Sequence, residues 1–160
     1  MNKPLKLPVR AGQKPNTTNR LPHSQLDQHG PDEVIRGLHE WCFSLPWVEN
    51  EDSGISVPGS RALVLHQARD CNHDAFMIGR EFAHIHPHPD SGSMHLKLPS
   101  DDAVEVIDKG WGESHYLVTQ GQYPIGLVMV FSPRDQPELE TVKTIVTRSY
   151  EYATTATDAA

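Results

Sequence analysis

The sequence is poor in cysteine: Cys42 and Cys71 are the only two in 160 residues. Two thiols cannot make the disulfide framework that holds small secreted domains together, so both read as free thiols of a reducing compartment. No apolar run approaches the ~18 residues that a membrane span needs. The N-terminus has no signal-peptide stretch either, because Pro4, Pro8 and Pro15 interrupt it. The expected location is therefore the cytoplasm, with no membrane partner. Phosphate loop, dinucleotide fingerprint and CxxC pair are all missing. The segment from Gly54 to Gly59 has its second glycine one place too late for the nucleophile elbow of serine hydrolases. A net charge of −7 argues against a nucleic-acid partner.

What is present suits one modest core. Hydrophobic residues make up 37% of the chain and the mean hydropathy is −0.51, which fits a single domain of this length. The charge is uneven: Lys3, Lys6, Arg10, Lys14 and Arg20 stand in residues 1–26 without an acid, leaving −12 on the rest. Residues 1–30, rich in proline and asparagine, read as an extended arm, either laid over the domain or disordered, and its basic residues as a solvated tail. The folded domain is expected over 31–153 and a frayed tail over 154–160.

Pro31, with Asp32 and Glu33 behind it, opens a helix whose apolar face is Val34, Ile35, Leu38, Trp41, Cys42 and Leu45, and Pro46 ends it. Residues 49–60 read as a loop. Strands are expected at Ala62–His66, Ala75–Ile78, Glu81–His86, Met94–Leu98, His115–Val118 and Leu127–Phe131, the third and fourth as a hairpin across PHPDSGS. Ser100 is expected to cap a second helix with Val104 and Ile107 inward, and Gly110 to stop it. Asp135 followed by Glu138 starts the last helix, with Leu139, Val142, Ile145, Val146 and Tyr150 as its buried stripe. The fold class is α+β: an antiparallel or mixed sheet of about five short strands packed by three helices.

Ten histidines are present, and His84, His86, His88 and His95 fall within twelve residues. Side chains two apart on a strand share a face. Ala83 and Ile85 then point one way and Phe82, His84 and His86 the other; Met94, Leu96 and Leu98 point one way and His95 and Lys97 the other. If the apolar faces meet the core, His84, His86 and His95 converge on the opposite side, at the ~4.5–5.5 Å spacing of cross-strand pairs. Three imidazoles support two chemistries. Neutral rings bind zinc, copper, iron or nickel and leave a position open. Alternatively, rings with separated pKa values act as base and as oxyanion partner. His88, between Pro87 and Pro89, reads as a solvent-facing turn residue. Gly110-Trp111-Gly112 either exposes an aromatic wall, Trp111, beside His115 or closes a helix with a core tryptophan. Arg80 and Glu81 open the hairpin, either orienting a histidine or forming an ordinary edge pair. Cys71 near His73 reads as a loop thiol.

The stretches REFAHIHPHPDSGSMHLKLP, DKGWGESH and VMVFSPRDQPELETV resemble the fungal luciferase family and its bacterial relatives. Arg80, Glu81, Ala83, His84, His86, His95, Leu96, Gly110, Trp111, Gly112, His115, Pro133, Arg134 and Asp135 match its pattern in order, while Phe131-Ser132 stands in place of a tyrosine–alanine. The likeness to the fungal enzymes covers residues 78–153; that to the bacterial branch covers the whole chain, including the SQLDQ and ISVPG segments. The fungal members carry an N-terminal membrane segment for which this sequence has no counterpart. The resemblance implies a luciferase-like domain over 31–153 that oxidises an enolic α-pyrone such as 3-hydroxyhispidin. Molecular oxygen would be the co-substrate, with no organic cofactor; in the fungal members carbon dioxide is lost and light is emitted.

The expected function is thus a cofactor-independent, luciferase-like oxygenase acting on a small enolic or phenolic substrate. Its catalytic residues would be His84, His86, His95 and His115, with His84 and His95 as base and oxyanion partner. Phe82, Trp111, Arg80 and Glu81 would bind substrate. The alternatives are a metal-dependent oxygenase or hydrolase holding a divalent transition metal on His84, His86 and His95, and a non-enzymatic small-molecule binding protein.

Overall fold

A computed structural model describes residues 3–156. Helix α1 (Asp32–Cys42) starts after Pro31 with Asp32 and Glu33 in its first turn, where carboxylates meet the positive end of the helix dipole. It buries Val34, Ile35, Leu38 and Cys42. The expected loop that follows contains strand β1 (Val48–Asp52), paired antiparallel with β2 (Arg61–Leu65). Only Val48 of VENED is shielded at all. This edge strand is held by its ladder rather than by burial, so no hydrophobic alternation announces it. Conversely, Ala75–Ile78 is not a strand. The Asn72 side chain accepts from the Asp74 N–H and turns His73–Ala75 into a short 3-10 helix, and Ile78 makes only an isolated bridge to Glu81.

The hairpin forms as β3 (Glu81–Ile85) and β4 (Met94–Lys97). Then come α2 (Ser100–Asp108), β5 (Gly112–Ser114), α3 (Tyr116–Thr119), β6 (Leu127–Val130) and α4 (Gln136–Thr154). The six strands form one sheet in the order β1-β2-β3-β4-β6-β5 with every pairing antiparallel. The fold is α+β as expected, with one more strand and one more helix. The segment expected as a strand at His115–Val118 is helical, because His115 Nδ1 accepts the Leu117 N–H and caps α3. Gly112 lets β5 lie close to β6: a Cβ there would stand 2.3 Å from the Met129 carbonyl oxygen.

Helices α2 and α4 pack on one face of the sheet and α1 packs on α4. Asp135 caps α4 by accepting the Glu138 N–H, and Leu139, Val142, Ile145, Val146, Ser149 and Ala153 are buried. Pro99, not Ser100, is the N-cap of α2. Its inward residues are Ala103 and Val106 rather than Val104 and Ile107, with Val106 set against Gly112; Val104 is exposed. In β4, Met94 and Leu96 stand opposite Val130 and Val128 in the helix-covered core, and His95 stands opposite Met129 on the other face.

The arm lies on the domain. Leu5 and Leu7 are buried, Trp111 Nε1 donates to the Pro8 carbonyl at 2.7 Å, and the Arg10 N–H donates to the Lys109 carbonyl. Its basic residues are not all solvated. Arg10 is 6% exposed and sits 5.5 Å from the Phe131 ring centre, and Lys14 pairs with Glu113 at 2.5 Å. Of the expected frayed tail, residues 157–160 lie outside the described residues. Among the described residues no helix is long and apolar enough to cross a membrane.

Candidate active site

Strand β3 does not keep a regular pleat. Ala83 pairs with Leu63, but the next partner of β2, Val64, pairs with Glu81, so Phe82 is an extra residue. Such a bulge re-aims the side chains around it. Phe82 therefore joins the helix-covered core and meets Tyr150 of α4 at 6.2 Å between ring centres. Glu81 takes the place on the histidine side that simple alternation assigned to Phe82. Its Oε2 accepts from His84 Nδ1 at 2.8 Å, and the Ser53 hydroxyl (2.8 Å) and the Gly54 N–H (3.0 Å) complete its shell.

The expected convergence of His84, His86 and His95 occurs, and two further rings join. His84 and His95 are direct partners across β3 and β4, with His84 Nε2 at 3.1 Å from His95 Nδ1. Ring centres are 4.4 Å apart for His86–His95 and 4.4 Å for His95–His115. His23, from the arm, stacks on His95 at 5.5 Å. All five rings are buried. Sequence reading had no means of finding His23, since an extended arm shows no periodicity and its partners, Glu113 and Tyr116, are about ninety residues away. Asp90 and Ser93 also escaped notice inside a turn read only as turn-forming. Ser93 Oγ is 2.8 Å and Asp90 Oδ2 3.1 Å from His86 Nδ1, and the Ser93 hydroxyl donates to Asp90 Oδ1 at 2.7 Å.

Hydrogen bonding fixes the tautomers. A carboxylate only accepts, so His84 and His86 each carry their proton on Nδ1 and keep a lone pair on Nε2. His84 Nε2 then accepts from His95 Nδ1–H, leaving the lone pair of His95 Nε2 as the only buried side-chain polar atom without a partner among the described residues. His115 is the reverse: Nδ1 accepts the Leu117 N–H at 3.1 Å, so Nε2 bears the proton. Both nitrogens of His23 are used, Nδ1 accepting the Tyr116 N–H and Nε2 donating to Glu113.

Three of the rings, His84, His95 and His115, are held toward the neutral state. Burial, together with the neighbouring imidazoles, holds His95 well below its ordinary value and brings His115 down to about 4. Burial also lowers His84, with the Glu81 hydrogen bond opposing. Burial pushes Glu81 and Asp90 up, but hydrogen bonds outweigh it, from His84, Ser53 and Gly54 for Glu81 and from His86, Ser93 and Gln25 for Asp90. Both carboxyls end below their ordinary values. For Glu113, burial is likewise outweighed by His23 and Lys14, to about 2.

The imidazoles form part of the lining of a cavity of about 480 Å³. Its walls are largely apolar: Leu21 and Pro22 from the arm, Ile55 and Val57 from the β1–β2 loop, Met77, and Leu117, Tyr123 and Leu127. Several residues expected there are elsewhere. Phe82 is in the core because of the bulge. Trp111 is 4% exposed in the helix-covered core, held by Pro8. Arg80 ties the 65–71 turn to β3, donating to the carbonyls of Leu65 and His66 and to Cys71 Sγ. Glu81 does not line the cavity but orients His84 from behind. His88 is exposed. Cys71 Sγ lies 3.8 Å from His73 Nε2.

Residues 79–149 match the luciferase domain family. Over 77 residues, 47% of this chain, the sequence is 38% identical to luciferases of Armillaria gallica and Armillaria mellea, and equally to one of Neonothopanus nambi. That stretch spans 29%, 29% and 28% of those relatives' lengths, so the chain covers well under two thirds of each. No solved structure gives a significant match. The matched relatives are fungal, and the bacterial affiliation expected from sequence receives no support from them. His84, His86, His95 and His115 all lie inside the matched segment, whereas His23 lies outside it. The likeness to luciferases is thus a likeness of one segment, residues 79–149, which carries four of the five clustered imidazoles.

Proposed function

We propose that the protein is a luciferase-like oxygenase. Its substrate would be a small, largely apolar molecule with an enolic or phenolic hydroxyl, such as an α-pyrone of the 3-hydroxyhispidin type, and its co-substrate molecular oxygen. The observation that carries this reading is an apolar cavity lined on one side by imidazoles of fixed tautomer. A volume near 480 Å³ suits a molecule of two or three rings, and the segment that carries His84, His86, His95 and His115 is the one similar to luciferases.

Each group has a task in this reading. The lone pair on His86 Nε2 takes the hydroxyl proton. Asp90 and Ser93 hold the opposite side of the ring and stabilise the imidazolium that forms. His115 Nε2–H faces the resulting oxyanion as a fixed donor. His84 and His95, the pair expected from sequence to do this work, are bonded to one another and shape the floor. The electron-rich carbon of the enolate then gives an electron pair to dioxygen, forming a C–O bond, and the apolar walls keep water from the peroxide.

Oxygen uptake with a panel of hydroxypyrones and phenols, read together with emitted light, tests the proposal. Uptake above that of the His84→Ala and His86→Ala variants is expected with at least one compound. Uptake no greater than in those variants across the panel contradicts it. Tight binding without uptake would favour a binding protein instead. A second reading rests on the same lone pairs, which accept a cation as readily as a proton.

A further inference from the structure

We propose that His84, His86 and His95 form a binding site for one divalent transition-metal ion. The nitrogens these three rings can offer lie within 4.8 Å of one another, and all three side chains are buried. Such an array of neutral donors suits zinc, iron, cobalt, nickel or copper and leaves coordination positions open.

The surroundings of the rings are the stronger reason. A metal-bound histidine almost always gives its other N–H to a carboxylate, a backbone carbonyl or a water, which fixes the ring and raises its basicity. Here that shell is built twice over. Glu81 holds His84 Nδ1 at 2.8 Å, and Asp90 holds His86 Nδ1 at 3.1 Å. Both Nε2 lone pairs are thereby left for the interior. The 3.1 Å between His84 Nε2 and His95 Nδ1 is close to the separation of two nitrogens on one tetrahedral ion with ~2.0–2.1 Å bonds. Without an ion, the proton between those atoms leaves His95 Nε2 with a buried lone pair and no partner, a condition that calls for a water or an ion. Coordination of His95 through Nδ1 would move its proton to Nε2, where a water or a ligand oxygen in the cavity would have to accept it.

The second possible triad, His23, His95 and His115, is the poorer site. Its His23 nitrogens are both engaged, with Glu113 and the Tyr116 N–H, so coordination there would break one of these bonds.

Metal binding itself does not depend on the oxygenase reading, but its chemical consequence does. A cation at this site would hold the enolate oxygen, lowering the pKa of the hydroxyl and replacing His86 as the means of ionising it, while His115 keeps its donor role.

Cobalt(II) and zinc(II) titration of the untagged, chelator-stripped full chain tests the site, by calorimetry and by the visible absorption of low-symmetry cobalt. One equivalent per chain is expected. His86→Gln and His95→Gln should abolish uptake in protein whose far-UV dichroism is unchanged, and His23→Gln should not. Should the ligand variants fail to fold, Glu81→Gln and Asp90→Asn leave all three ligands in place and are expected to weaken binding ~10–100-fold. Uptake below about a tenth of an equivalent by the wild type overturns the site. So does uptake that these variants leave intact, or that His23→Gln removes. In any of those cases oxygen turnover by metal-free protein would still sustain the oxygenase reading, and metal uptake without turnover would leave the site standing while that reading failed.

Discussion

Glu81 receives the Nδ1 proton of His84 at 2.8 Å although the two are three residues apart on one strand, a separation that a regular pleat assigns to opposite faces. The bulge at Phe82 makes the contact possible. One extra residue thus does two things: it sends a large aromatic ring into the core, and it places a carboxylate behind the imidazole that opens the chain Glu81, His84, His95. The tautomers along that chain are a direct consequence. Long-range proton–nitrogen correlation spectra of metal-stripped protein should show His84 and His86 protonated at Nδ1 and His115 at Nε2. Glu81→Gln should alter the His84 pattern first.

Phe82 reports on the bulge through stability. Were it a wall of the cavity, trimming it would cost little. As a fully buried residue beside Tyr150, Phe82→Ala should destabilise the fold by ~3–5 kcal/mol in urea unfolding. A loss below about 1 kcal/mol would place the ring outside the core.

Gly112 offers a sharper steric test. A methyl group there meets a backbone carbonyl at 2.3 Å, and that oxygen belongs to a paired strand that cannot turn aside. Gly112→Ala is expected to lose ~1–3 kcal/mol. Amide exchange should accelerate first along β5 and β6, and the His115 turn beyond them should loosen with it. Uniform exchange across the sheet would mean that the strand absorbs the methyl group elsewhere.

Acid should unfold the protein in two stages. The folded pKa of His115, about 4, lies below its ordinary 6.5. Between those values the unfolded chain takes up a proton that the folded chain refuses, and lower pH therefore favours unfolding. His84 and His95 shift in the same direction. Stability should be level above about pH 6.5 and fall toward pH 4. Below that, Glu81, Asp90 and Glu113, all held under their ordinary values, must be protonated, with Glu113 the last at about 2. Urea midpoints measured from pH 8 to 3 after chelation check the sign; a midpoint that rises on acidification from pH 6.5 to 5 would contradict it.

Much of the site was legible in the sequence because strand parity is a strict rule. His84 opposite His95, with Leu96 and Met94 turned away, follows from the alternation of MHLK against AHIH, and the pairing is as expected. The segment similar to luciferases was equally legible, since its motifs are spaced blocks of unusual residues. What escaped was non-periodic. VENED forms an edge strand with almost nothing buried, so no hydrophobic signal could mark it. The bulge has no signature in EFAHIH and inverted the roles of Glu81 and Phe82. Trp111, between two glycines, fits either an exposed wall or a core residue by local pattern, and the bond to the Pro8 carbonyl accompanies its place in the core. His23 and the wall residues Leu21 and Pro22 reach the cavity because the arm is pinned by distant partners: His23 by Glu113 and the Tyr116 N–H, and Gln25, whose N–H donates to Asp90 and whose Oε1 accepts the Ser132 N–H. Contacts of that range leave no trace in local pattern.

The decisive measurement is the fate of labelled oxygen. Wild-type protein incubated with a turned-over hydroxypyrone under ¹⁸O₂ should place ¹⁸O in the organic product or the released carbon dioxide, and His86→Gln and His115→Gln should each cut the labelled yield at least ~100-fold, the lower end of what a positioned proton-transfer group or oxyanion donor contributes. Product carrying only ¹⁶O, or labelled equally in the wild type and both variants, would contradict an oxygenase built on these imidazoles.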